Sequence, residues 1–336
     1  MKGPFLFTFI LATNLWLSAG HAQAQIVGEH YLAGTEGIQA GSLPGPGIYI
    51  DDINWFGHLD GRNWNGGAVQ NDQISSYVNE PRLRWMTKLK LLGANYGVEL
   101  MVPWSYQEEH MIQEALQSFP TSPTQNPTTI PGFNYRYRQY ELHDVEISPL
   151  LLGWHWQHFD LSAGYAIWVP TGDNSFSLIP PTPYNPSVYA SPSQYHWWEH
   201  MLMLGGTWYP DAEKKWSVSA LNHYEISQSF DSPIGNTQPG QLFTTEWGVS
   251  RKAGKYFDLG LVGNYSLQTT ATRTTDYSFI ESSSYSNIEL GPEITATLPK
   301  YAFSASLRYL RGLSNPNGSG GSYDLNIVAL TLSKGF

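Results

Sequence analysis

Runs of ten or more residues in which every second side chain is apolar recur along most of this chain. Across residues 95–104, Tyr96, Val98, Leu100, Val102 and Trp104 share one face, and Asn95, Gly97 and Glu99 the other. The same pattern fills 159–169, 257–267, 288–298 and 303–309. A period of two marks a β-strand whose two faces meet unlike surroundings. Strands of soluble domains run ~5–6 residues, whereas a tilted strand crossing a bilayer needs ~9–11. Residues 82–92, RLRWMTKLKLL, make the case most sharply. Leu83, Trp85, Leu89 and Leu91 form a greasy face, and Arg82, Arg84, Lys88 and Lys90 a basic one. Turning Arg or Lys to lipid at the midplane of a barrel wall costs ~2–4 kcal/mol. The basic face is therefore expected to look into a wet interior.

The pattern predicts twelve strands, at 46–58, 81–92, 95–106, 144–155, 158–169, 195–209, 214–227, 241–252, 256–268, 285–298, 301–312 and 323–336. Their connections alternate. Long ones (59–80, 107–143, 170–194, 228–240, 269–284 and 314–322) interleave with short ones at 93–94, 156–157, 210–213, 253–255 and 299–300. Such sorting belongs to an outer-membrane barrel, with long loops outside the cell and short turns in the periplasm. A soluble sandwich has no reason to sort its loops by length. The fold expected is all-β: a transmembrane antiparallel up-and-down barrel of about 12 strands, with both termini on the periplasmic side. In hydrocarbon every backbone N–H and C=O must be paired, and strands achieve that only by closing on themselves.

The ends of the chain agree. Residues 5–17, FLFTFILATNLWL, follow Lys2 and precede Ala22-Gln23-Ala24, the order of a secretory signal peptide and its cleavage site. Residues 1–24 are expected to be removed, 25–45 to form an N-terminal periplasmic segment, and 46–336 the barrel. No later run has the ~20 apolar residues of a membrane helix. The last strand ends in Phe336, which resembles the insertion signal of bacterial outer-membrane proteins. Charged residues make up only 14% of the chain, against ~25% in an average soluble domain. The 21 Tyr and 13 Trp suit aromatic girdles at the lipid boundaries. A net charge of −10 argues against nucleic acid as a partner, and the absence of Cys removes disulfide and thiolate chemistry.

Several motifs invite chemistry. His196–His200, HWWEH, fits the H-x-x-E-H spacing that binds zinc on a helix. On a strand Glu199 points away from His196 and His200, so no metal site is expected. No nucleophile elbow or comparable motif marks a hydrolase, and no catalytic residue or cofactor is assigned. Residues 107–118, QEEHMIQEALQS, have helical spacing and are read as a short helix in an extracellular loop, the alternative being a constriction inside the lumen. Pro170-Thr171-Gly172-Asp173 is read as a turn. The inward faces carry Arg82, Arg84, Lys88, Lys90 and Arg308 against Glu99, Glu146, Asp160, Glu246, Asp258, Glu289 and Glu293. These twelve are the candidate pore-lining residues, pairing across strands or orienting polar solutes.

Three stretches resemble one known family: residues 31–50 (YLAGTEGIQAGSLPGPGIYI), 90–97 (KLLGANYG) and 168–173 (WVPTGD). It is the group of outer-membrane proteins labelled MetA-pathway of phenol degradation. The opening pattern G-x-E-G-x-x-A-G-x-x-P-x-P-G-x-Y is the most specific part. Where the family has Gly-Asp before the fourth strand, this chain has His143-Asp144. The resemblance implies an outer-membrane barrel moving small, often aromatic, compounds. The function expected is passive or facilitated passage of small aromatic or hydrophobic molecules by a monomer in the bacterial outer membrane, with membrane lipid around it. The alternatives are a lipid-hydrolase barrel and a surface protein adhering through its loops.

Overall fold

The computed structural model describes residues 30–65, 68–113, 116–118, 128–130, 133–172, 176–178, 190–192, 197–232, 235–274, 286–313 and 322–336. The signal-peptide reading and Asp173 lie outside these residues. Twelve antiparallel barrel strands run in chain order. They are β1 (Gly47–Asn65), β2 (Ala68–Leu91), β3 (Ala94–Met101 continued by Trp104–Gln113) and β4 (Phe133–Leu142 continued by Val145–His155). Then follow β5 (Phe159–Val169), β6 (Glu199–Trp208), β7 (Trp216–Ser227), β8 (Leu242–Ala253), β9 (Phe257–Gln268), β10 (Ser286–Leu298), β11 (Phe303–Gly312) and β12 (Ser322–Gly335). Each pairs with the next, and β1 pairs with both β2 and β12, which closes the barrel. The breaks in β3 and β4, at Val102-Pro103 and His143-Asp144, are bridged by backbone bonds. Val102 N–H donates to the Pro81 carbonyl (3.1 Å) and His143 N–H to that of Pro103 (2.9 Å).

Alternation sorts the faces as expected. Leu83, Trp85, Leu89, Leu100, Leu161, Leu202, Leu204, Leu261, Ile294 and Leu307 are exposed on the outside. Arg82, Arg84, Glu99, Glu146, Glu246, Asn264, Glu293 and Arg308 are buried within. The short turns all lie at one end. Between β2 and β3, Leu92 (φ 53°) and Gly93 (φ 81°) both adopt the left-handed conformation of a two-residue hairpin turn whose twist matches the strands. After β10 a single 3-10 turn, Pro299–Tyr301, does the same job.

Three expectations need correction. Residues 59–80 form a hairpin rather than a loop. β1 and β2 reach 19 and 24 residues and project beyond membrane length on the long-loop side. Residues 107–113 are strand, not helix, bonded between β2 and the first part of β4. The open edge of the projecting hairpin needs backbone partners, and that demand overrides local helical spacing. Residues 116–118 are also strand, paired with 128–130. Finally, residues 30–43 of the segment expected in the periplasm at 25–45 are placed elsewhere. They run inside the barrel, where Tyr31, Thr35, Ala40 and Gly41 are buried.

The outward face predicts one result. Leu307→Arg, mid-strand on β11 and 49% exposed on the outer face, should destabilise the folded barrel by ~2–4 kcal/mol. Heat-modifiable migration across a urea series checks it, the folded band being lost at lower urea.

Candidate pore and its plug

The lumen is filled by the chain's own N-terminal segment. His30 lies at the long-loop end, and the segment descends to Pro46 at the short-turn end before β1 turns back up the wall. Its backbone cannot bond to itself in this extended path, so the wall supplies the partners. Glu246 accepts from the Tyr31 hydroxyl (2.5 Å), Gly34 N–H (2.9 Å) and Glu36 N–H (3.0 Å). Glu293 accepts from Ile38 N–H (3.2 Å), and Ser219 Oγ from Gly41 N–H (2.7 Å). In the other direction Arg308 donates to the carbonyls of Gly34 and Thr35. The Ser42 hydroxyl lies within hydrogen-bonding distance of Asp160 Oδ2 (3.0 Å) and Thr207 Oγ1 (2.8 Å).

Charge is matched as carefully. Glu36 meets Arg82 directly and lies 4.0 Å from Arg84. Arg82 also contacts Asp51 (3.0 Å), its cross-strand neighbour on β1. Arg84 bonds Glu99, its neighbour on β3. At the top, His30 bridges two buried carboxylates, Nε2 to Asp144 (3.0 Å) and Nδ1 to Glu199 (3.1 Å). Trp168 stacks on its ring and Trp197 meets it edge-on. Asp144 in turn accepts from Gly172 N–H (2.8 Å). A Cβ at Gly172 would lie 2.8 Å from the Leu142 carbonyl oxygen, so only glycine lets this turn close onto the Asp144 break.

Glycine lets the plug fit elsewhere too. Gly34 (φ +94°) and Gly37 (φ +63°) take left-handed backbone. A Cβ on Gly41 would sit 2.3 Å from the Gly206 nitrogen and 2.5 Å from the Ala220 carbonyl oxygen, so the plug rests backbone to backbone on β6 and β7. Beside it remains a chamber with room for about 40 Å³ of water-sized space. One water needs ~10–15 Å³ on that measure, so a few waters fit and an aromatic solute does not. Met101, Leu151, Met201 and Met203 line it together with Glu36, Arg82, Arg84 and Glu99.

Of the twelve charged residues singled out from the sequence, nine are buried inside: Arg82, Arg84, Glu99, Glu146, Asp160, Glu246, Glu289, Glu293 and Arg308. Five of these, Arg82, Asp160, Glu246, Glu293 and Arg308, bond the plug. Glu146 is held by Ser148 (2.8 Å), and Glu289 by Asn264 (2.9 Å) and Asn287 (2.8 Å). Lys88, Lys90 and Asp258 are not brought into this set. Both lysines are exposed past a register shift between Met86 and Lys90, and Asp258 is half-exposed near the short-turn end. Sequence reasoning missed Asp51, Glu80, Asp144 and Glu199 on the wall, and His30 and Glu36 on the plug. Period two could have found the wall residues, since Glu80 continues the Arg82–Arg84 face. Of the HWWEH segment, Glu199 and His200 open strand β6. Glu199 is buried against His30, while His200 turns outward to the Tyr165 hydroxyl (2.7 Å). His196 lies outside the described residues, among which no group of three or more metal-ligating side chains occurs.

A closed twelve-stranded barrel with an apolar outside and a charged, plugged interior is an outer-membrane β-barrel. Residues 60–323 match the family described as "Putative MetA-pathway of phenol degradation", and the chain belongs to it. Among solved structures, the COG4313 outer membrane channel from Pseudomonas putida F1 aligns at TM-score 0.55 and 12% identity, over 88% of this chain and 97% of that one. The β domain of the Bordetella autotransporter BrkA aligns at 0.46 and 10% identity, over 86% and 100% of the two chains. The CymD monoaromatic hydrocarbon channel aligns at 0.42 and 8% identity, over 87% and 89%. A comparison with curated proteins finds no match.

The plug contacts predict accessibility. The chain has no Cys, so Ala40→Cys, 7% exposed in the plug, gives a unique thiol. It should react slowly with a maleimide. Adding Arg82→Gln removes a buried ion-pair partner, a loss of ~3–5 kcal/mol, and should speed labelling while heat-modifiable migration stays normal.

Proposed function

We propose that the protein is a monomeric outer-membrane channel for passive or facilitated passage of small aromatic or hydrophobic molecules, and that the structure holds its closed conformation. The observation that carries this reading is the mixed lining of the chamber beside the plug. Methionine and leucine share its lining with paired charges, which suits a solute with an apolar body and one polar group. With room for a few waters only, the plug must shift for such a solute to cross. The nine buried charged residues are pore-lining in that open state, and in this one five of them hold the plug. A closed barrel leaves no free strand edge seeking a partner, which supports a monomer. No covalent chemistry is needed for this task, and the protein is read as a channel rather than an enzyme. The phenol-degradation description of the family is in keeping with aromatic cargo.

Planar-bilayer recording and swelling of protein-loaded liposomes test it. Wild type should show little steady ionic conductance. A variant lacking residues 30–44 should conduct at least tenfold more and admit phenolic solutes faster. A deletion variant that folds, by heat-modifiable migration, yet stays sealed to ions and solutes would refute the channel reading.

A further inference from the structure

The projecting wall formed by β1 to β4 carries a feature that passage through the lumen does not use. Phe56 stands opposite Tyr77, Tyr77 opposite Tyr106, and Tyr106 opposite Tyr140, one residue from each of four neighbouring strands. The row continues the other way through Val328 to Tyr309. Rings of Phe56 and Tyr77 lie 5.0 Å apart and those of Tyr106 and Tyr140 4.6 Å, all on the outer face. Aromatic rows of this kind settle at the boundary between hydrocarbon and headgroups, which fixes the height of everything above them.

Two residues above Tyr140 on the same face comes Arg138, and two above that Arg136. At ~3.4 Å per residue and a tilt of 35–45°, they stand roughly 5 and 10 Å over the row. That is the headgroup layer of the outer leaflet. Their side chains are 55% and 59% exposed for Arg136 and Arg138 respectively, and both converge on one carboxylate, Glu108, at 3.5 and 3.2 Å. The surface thus keeps one positive charge beyond what Glu108 cancels. By contrast Arg311, two residues above Tyr309 in the same row, has Asp324 to itself at 3.3 Å. Resting on the outer-membrane placement given above, we propose that Arg136 and Arg138 form a docking site for a phosphorylated glycolipid of the outer leaflet. The guanidinium pair grips the phosphate in bidentate fashion, and Phe56, Tyr77 and Tyr140 pack against the upper acyl chains. Glu108 pre-aligns the two arginines and competes with the phosphate for them.

The test uses the full-length folded protein in detergent, with bisphosphorylated lipid A as probe and native mass spectrometry or thermal shift as readout. Wild type should retain lipid A, and lipid A stripped of phosphate should bind about tenfold more weakly, a charged hydrogen bond's worth. Arg136→Gln with Arg138→Gln should lose a similar factor, while Arg311→Gln should not change binding. Glu108→Gln should raise retention, an opposite sign that a merely structural role for the cluster would not give. Inorganic phosphate at millimolar concentration should not displace the lipid, and displacement would mean the site takes the free ion instead. Equal lipid A binding by wild type and the double variant overturns the site but leaves the barrel reading intact. Failure of wild type to fractionate with outer membranes overturns the placement on which both rest.

Discussion

Every ionised group turned into the lumen needs a counter-charge or a hydrogen-bond partner, and most of this structure follows from meeting that need. Burial of an unpaired charge costs several kcal/mol, and the wall alone does not supply enough partners. Glu246 faces inward opposite Leu221 on β7 and Asn264 on β9, with no base on either side, whereas Glu293 pairs with Arg308, its neighbour on β11, at 3.2 Å. The plug supplies what is missing, through backbone N–H groups for Glu246 and the Glu36 carboxylate for Arg82, and it completes the Glu293–Arg308 pair with the Ile38 N–H and the Gly34 and Thr35 carbonyls. Closure of the barrel is a backbone matter. Closure of the pore is a side-chain matter, and it depends on this short segment.

The family pattern acquires a physical meaning in that light. Its glycines at 34 and 37 take left-handed backbone, and Gly41 admits contact with β6 and β7. Its glutamate, Glu36, is the ion-pair partner of Arg82. The second motif, Pro170-Thr171-Gly172-Asp173, supplies Gly172, whose N–H steadies Asp144. Asp144 holds His30. The departure from the family at His143 leaves Asp144 in place, so the contact survives the substitution. Residues 31–46 and 168–172 of the resembling stretches are thus the plug and part of its seat.

Strands and faces were legible because period two is a local signal and each strand carries it alone. RLRWMTKLKLL sorted as its alternation requires as far as Met86, and Leu89 and Leu91 still face outward. Lys88 and Lys90 did not join the buried charge because a register irregularity intervenes near the short-turn end, and no local pattern announces it. Residues 107–113 misled for a different reason. Their helical spacing is genuine, but the long β1–β2 hairpin presents an edge that must be paired. The plug was illegible because its partners lie far away in sequence. Glu36 and Glu246 come together across 210 residues, and nothing in a glycine-rich, non-alternating stretch reveals which acid or base awaits it.

The central claim is that this segment closes the channel and must move for solute to pass. Ser42 on the plug and Thr207 on β6 have hydroxyls 2.8 Å apart, and the chain has no other cysteine to interfere. In the double variant Ser42→Cys, Thr207→Cys, oxidation should tie the plug to the wall. Flux of a phenolic solute into liposomes is then measured before and after a reducing agent. The account predicts a sealed barrel when oxidised and restored flux when reduced. Equal flux in the two states, with the crosslink verified by mass spectrometry, would show that solute passes without displacing the plug and would contradict it.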